Sequence, residues 1–171
     1  MKRFFLVVLL LPVFAMAQDC KIKKEVDQFS QQPKFTTGFL PLNEGMNRVL
    51  LSIDANNKEI DFFFAFNKGV AGKCFDDAST ATVLYEGTRV KGNFRNTGSM
   101  NCDGLFHFTF KNTPTTQSAL QRLATTKVAS IQLTGTDKKV IEIVLKEEEK
   151  LMLMQMISCI SKEAKTLLAK P

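Results

Sequence analysis

The amino-acid sequence predicts an α+β fold made mostly of antiparallel strands, sandwich-like or as a curled sheet, with a short helix near residues 116–123 and a long C-terminal helix packed on the sheet. Three observations predict it. From residue 20 to 145, apolar residues alternate or run in short blocks between turn-forming residues, which is how strands read. Residues 147–170 contain neither glycine nor proline and carry apolar residues at helical spacing. No repeat, low-complexity tract or linker interrupts residues 18–171, so they read as a single disulfide-braced domain.

Residues 1–17 read as a secretory signal peptide: Lys2 and Arg3 form the charged start, residues 4–14 the apolar stretch, and Ala15-Met16-Ala17 a small-x-small cleavage site. Cleavage is expected before Gln18, and the mature protein is expected to be exported, periplasmic or secreted. The apolar stretch is shorter than the roughly 20 residues of a spanning helix. No later run is long enough either, so no stable membrane insertion is expected once the leader is removed.

Residues 48–54 and 59–66 flank the turn-rich segment 55–58 and predict a hairpin. Ile60, Phe62, Phe63, Phe64, Ala65 and Phe66 leave the second strand hardly any polar face, which predicts a central strand covered on both sides. Residues 80–85 and 88–94 flank Glu86-Gly87, where glycine supplies the positive φ of a two-residue turn. Residues 104–111 put Phe106, Phe108 and Phe110 on one face and His107 and Thr109 on the other. Residues 128–134 and 139–146 make a third hairpin closed by the segment 135–138. Leu120 and Leu123 follow Pro114 and two threonines at helical spacing, which predicts the short helix. Residues 147–170 open on three glutamates and end among lysines, the charge order a helix dipole favours. Leu153, Ile157, Ile160, Ala164 and Leu167 then form a stripe that must meet the sheet.

The chain has four cysteines, Cys20, Cys74, Cys102 and Cys159, an even number that in an exported protein reads as two disulfides. Three connectivities are open. We favour Cys20 with Cys159 and Cys74 with Cys102. In the chain-entropy model the first closes a loop worth on the order of 5 kcal/mol and the second about 3.6 kcal/mol. None of the pairs has the C-x-x-C spacing of a redox or zinc motif.

The formal charge is +6, and loss of Lys2 and Arg3 with the leader lowers it to about +4, too little to argue for a nucleic-acid partner. Arg89, Lys91 and Arg95, with Asn93, are expected to share one strand face while Val90, Gly92 and Phe94 take the other. Such alternation is ordinarily a solvated face. The functional alternative is a patch for an anionic partner.

His107 is the one histidine, and a relay of the Ser-His or Cys-His kind needs a base beside an activated hydroxyl or thiol. On the polar side of a strand next to Thr109 it reads as a surface histidine with no partner for general-base work. Asp61, Asp76, Glu86, Asp77 and Asp103 lie in or near turns, and no spacing singles out a pair of them. No catalytic residue is therefore assigned. Met152, Met156 and Cys159 form a soft-ligand stripe on the last helix that suits Cu(I). Methionine is an ordinary gap-filler and a disulfide cysteine is no thiolate, so no metal and no cofactor is expected. The loop before residue 105 is pinned by Cys102, and pairing with Cys74 would tie it to residues 67–73, a possible binding end of the β scaffold.

The Ala-Met-Ala-Gln cleavage region, the Asp19-Cys20 opening followed by Val26-Asp-Gln-Phe-Ser30, and the late Ile157-Ser-Cys-Ile160 segment carry a resemblance. The chain resembles small exported bacterial proteins of unknown function, of the Bacteroidota type. The resemblance implies the terminal cysteine pairing and an envelope location, and it implies no catalytic residue. The expected function is a non-enzymatic exported binding or interaction module of the cell envelope, its partner an envelope or extracellular protein. The alternative is an envelope hydrolase with a carboxylate or serine site assembled from loops. A deep pocket with converging Asp, Glu or His107 favours the enzyme, and shallow grooves favour the binding module.

Overall fold

A computed structural model describes residues 20–28, 30–43, 48–66 and 74–168. Residues 1–17, expected to be a leader, and residues 67–73, expected to be tied to the approach to residue 105, lie outside these described residues. Ten strands and two helices follow one another: β1 (Lys23–Val26), β2 (Pro33–Thr36), β3 (Leu40–Leu42), β4 (Val49–Ala55), β5 (Glu59–Phe66), β6 (Thr80–Tyr85), β7 (Lys91–Arg95), β8 (Leu105–Lys111), α1 (Ser118–Thr125), β9 (Val128–Thr134), β10 (Val140–Val144) and α2 (Glu147–Lys165). The fold is α+β, and every strand pairing is antiparallel. One sheet runs β1-β2-β4-β5-β8 with β3 also on β4, and the other runs β10-β9-β6-β7.

The alternation within strands decides what is buried. Ile60, Phe62, Phe64 and Phe66 of β5 and Phe106, Phe108 and Phe110 of β8 point inward, and Phe108 stacks between Phe62 at 4.9 Å and Phe94 of β7 at 4.5 Å. Those ring contacts join the two sheets into one core. Helix α2 packs on α1 and touches both sheets through β2, β4 and β9. Its stripe Leu153, Ile157, Ile160 and Ala164 is buried as the spacing predicts. Glu149 secures its start, accepting the Lys146 N–H at 2.8 Å and the Asn43 N–H at 2.9 Å. Near its end the buried Asn112 side chain donates to the Ala164 carbonyl at 2.7 Å. No helix among the described residues is long and apolar enough to cross a membrane.

Several expectations need correction. β5 is not covered on both sides: Asp61, Phe63 and Ala65 are half-buried, because α2 sits on β2, β4 and β9 and leaves the outer face of β5 open. The β6–β7 connection is not a two-residue turn. The last β6–β7 pair is Leu84 with Lys91, while on the other edge Tyr85 pairs with Val128 of β9 past a bulge and the Glu86 N–H donates to the Lys127 carbonyl. Strand β7 therefore starts at Lys91, and Arg89 precedes it in a bend. Gly87 still takes a positive φ of 69° in that connection. Helix α1 is shifted two residues along the chain from the expected 116–123, and α2 stops at Lys165.

Candidate functional site

The cysteines brace both ends of the sandwich. Cys20 is joined to Cys159 of α2, Cα atoms 5.8 Å apart, and Cys74 to Cys102, Cα atoms 4.0 Å apart. The second bridge lies beside a short β-bridge between Phe75 and Asn101, so the approach to β8 is held both covalently and by backbone hydrogen bonds. With Cys159 spent, the Met152, Met156 and Cys159 stripe has lost its thiolate. Among the described residues no group of three or more His, Cys, Asp or Glu is placed to hold a metal ion.

The outer face of the second sheet is built from three cross-strand rows. Val144, Ser130, Leu84 and Lys91 form one, Glu142, Gln132, Thr82 and Asn93 the next, and Val140, Thr134, Thr80 and Arg95 the last. Lys91, Asn93 and Arg95 are exposed along the edge strand β7, and Arg89 is exposed just before it. A step of two residues on a strand covers about 6.6 Å, so Lys91 and Arg95 lie about 13 Å apart along the edge. Three other cations do meet carboxylates: Lys34 meets Asp54, and Lys127 and Lys150 meet Glu86 and Glu147. Arg89, Lys91 and Arg95 form no ion pair among the described residues. The carboxylate of these rows, Glu142, sits on the far edge strand and already accepts hydrogen bonds from Gln132 at 3.0 Å and Ser130 at 3.3 Å. The face is thus cationic along β7, hydroxyl- and amide-rich in the middle, and apolar at Val140 and Val144.

The structure corrects the reading of His107. It is not without a partner. The register that sets Phe63 opposite His107 and Asp61 opposite Thr109 puts the carboxylate diagonal to the imidazole, with His107 Nδ1 3.1 Å from Asp61 Oδ1. Both side chains are about 29 % exposed. The Asp61 hydrogen bond raises the His107 pKa above its ordinary 6.5, against a smaller opposing effect of burial. The segment after β7 folds over this pair: the Asn96 side chain accepts the His107 N–H at 3.0 Å, the Thr97 N–H donates to the His107 carbonyl at 2.8 Å, and the Thr97 hydroxyl lies 3.4 Å from Nδ1. Those contacts also satisfy the edge of β8. Gly98 lies against the other side of the ring, where a Cβ would stand 2.6 Å from Nε2. A carboxylate-oriented imidazole is half of a relay. Its hydroxyl neighbour shares Nδ1 with the carboxylate, and glycine lies on the Nε2 side, so among the described residues no hydroxyl stands in the nucleophile's place.

A cavity of about 610 Å³ opens between β3 and the start of α2, with Leu42 and Met152 as its apolar floor and Arg48, Glu148 and Glu149 at its polar side. Both Glu149 oxygens are already engaged by backbone N–H groups. Neither Asp61 nor His107 lines this cavity. No family model matches the chain, and no curated protein or solved structure matches it.

Proposed function

We propose that the protein is a non-enzymatic exported binding module of the cell envelope, and that an anionic surface of an envelope or extracellular protein docks on the face carrying Arg89, Lys91 and Arg95. The observation that carries this reading is the clustering: three exposed cations follow one another just before and along the edge strand β7, and none of them meets a carboxylate among the described residues. Unpaired like charges along one edge steer and orient an oppositely charged partner. Two disulfides and the lack of a long apolar helix among the described residues are consistent with an exported protein outside the bilayer. The test is retention of a defined envelope partner by wild type and by Arg89→Gln/Lys91→Gln/Arg95→Gln. Retention lost in the triple variant supports the reading, and equal retention refutes it.

One observation favours a hydrolase as the second reading. The Asp61–His107 pair orients an imidazole on a half-open sheet face. An envelope hydrolase using it would lose turnover in both His107→Ala and Asp61→Asn while keeping its fold. Hydrolysis of ester, amide or glycoside substrates that survives both substitutions removes that reading.

A further inference from the structure

Helix α2 presents Ser158, Ser161, Lys162 and Lys165 at steps of three, one and three, a single face beside its buried stripe. That face lines a cavity of about 520 Å³ shared with Thr116 and Gln121 from the α1 side. The polar groups lining it are hydroxyls, an amide and two ammonium groups, with no carboxylate among the described residues. Lys162 and Lys165 form no ion pair among the described residues. Ser161 is 8 % exposed, and its Oγ is buried without a hydrogen-bond partner. A buried hydroxyl left unmet is rare and costly in native proteins, so such a group calls for an acceptor. Helix α1 begins two residues after Thr116 with no capping side chain and no acid in its first turn, which leaves its positive end unneutralised. The carbonyl end of α2 acts in the opposite sense, and Lys162 and Lys165 in its last turn offset it.

We propose that this cavity binds the oxyanion group of a small molecule, a phosphate or a carboxylate, with the Ser161 hydroxyl turning from its buried position about χ1 to donate to one oxygen and Lys162 and Lys165 supplying the charge. The site is separate from the β7 face and independent of the docking proposed there. Its chemistry is that of recurrent anion sites, in which hydroxyl donors fix orientation and ammonium groups supply attraction.

The test is an amide NMR titration of the disulfide-intact chain with inorganic phosphate and, separately, with citrate, each at an ionic strength held constant with chloride. The expected result is saturable shifts confined to residues 114–124 and 158–165 with at least one of the two anions. Phosphate alone points to a phosphorylated ligand, citrate alone to a carboxylated one, and both to the shared oxyanion chemistry. Lys162→Gln/Lys165→Gln should weaken binding about tenfold or more, the loss expected for one charge-assisted contact. Ser161→Ala should weaken it several-fold while leaving the fold intact, since it removes a hydroxyl that bonds to no protein group. Lys91→Gln/Arg95→Gln should leave it unchanged. Shifts that stay linear in concentration with both anions, that spread equally to β7, or that persist in the Lys162 and Ser161 variants would overturn the proposal.

Discussion

Replacing Cys20 and Cys159 together by alanine removes the bridge between the first described residue and α2, and the structure sets the size of the effect. The bridge closes 139 residues of sequence separation. The chain-entropy model gives about 5 kcal/mol for such a loop, an upper figure because the unbridged chain retains some residual structure. The native state also bears on the value. All four residues of β1 are exposed and β1 pairs only with β2, so without the bridge this end of the chain is held by few contacts. Part of the loss therefore becomes local fraying rather than global unfolding. A drop of roughly 2 to 5 kcal/mol follows, or about 4 to 20 °C in melting temperature for a chain of this size. Alanine is preferred at 159 because that position is buried, where a serine hydroxyl would add its own desolvation cost. Urea unfolding in oxidising buffer measures the difference, and the same experiment with reductant is the control. Wild type and variant should converge once reduced, because both then lack this bridge. A difference below about 1 kcal/mol when oxidised, or an undiminished one when reduced, would refute the reasoning.

Phe108→Ala should cost about 3 to 5 kcal/mol in chemical unfolding, because the ring is sandwiched by Phe62 and Phe94 and its loss opens a void where the sheets meet. The Asp61–His107 pair makes stability depend on pH. The folded His107 pKa lies above the ordinary 6.5, so the pair's contribution is complete below about that pH and declines as pH rises through the folded value. His107→Ala should flatten this part of the stability profile, and an unchanged profile argues against the pair. Gly98→Ala should do the same indirectly, since its Cβ displaces the imidazole from Asp61, and NMR titration of His107 should then show a pKa closer to the ordinary one. Intact-mass measurement of the exported protein should give a chain starting at Gln18.

Much of the fold could be read from residue patterns, and the failures have physical causes. β6, β8 and β9 and the buried stripe of α2 follow from periods of two and about 3.6, which burial enforces. β1 has no such signal, because all its residues are exposed and nothing selects apolar ones. β2 and β3 each contain a proline, which counts against a strand in sequence but is tolerated in these short segments. In β5 three successive phenylalanines hid the alternation, although Asp61 on the same face as Phe63 marked that face as open. The Asp61–His107 pair joins residues 46 apart in sequence and depends on the register between β5 and β8, which neither strand encodes alone. Arg89 lies outside the strand because pairing between β6 and β7 begins only at Leu84 opposite Lys91, which leaves a longer connection than Glu86-Gly87 suggests. The α1–α2 cavity arises where two helices meet, and the one sequence cue to it was the polar face Ser158, Ser161, Lys162 and Lys165.

The proposed docking of an anionic partner on the β7 face is tested most directly by binding to a defined envelope partner as a function of salt, for wild type beside Arg89→Gln/Lys91→Gln/Arg95→Gln. Exposed charges are screened over about 8 to 10 Å at physiological ionic strength. Wild-type binding should weaken steeply between roughly 50 and 300 mM salt, and the triple variant should bind weakly with little salt dependence. Wild-type binding that ignores salt, or a triple variant that matches wild type at every salt concentration, would contradict the proposed docking.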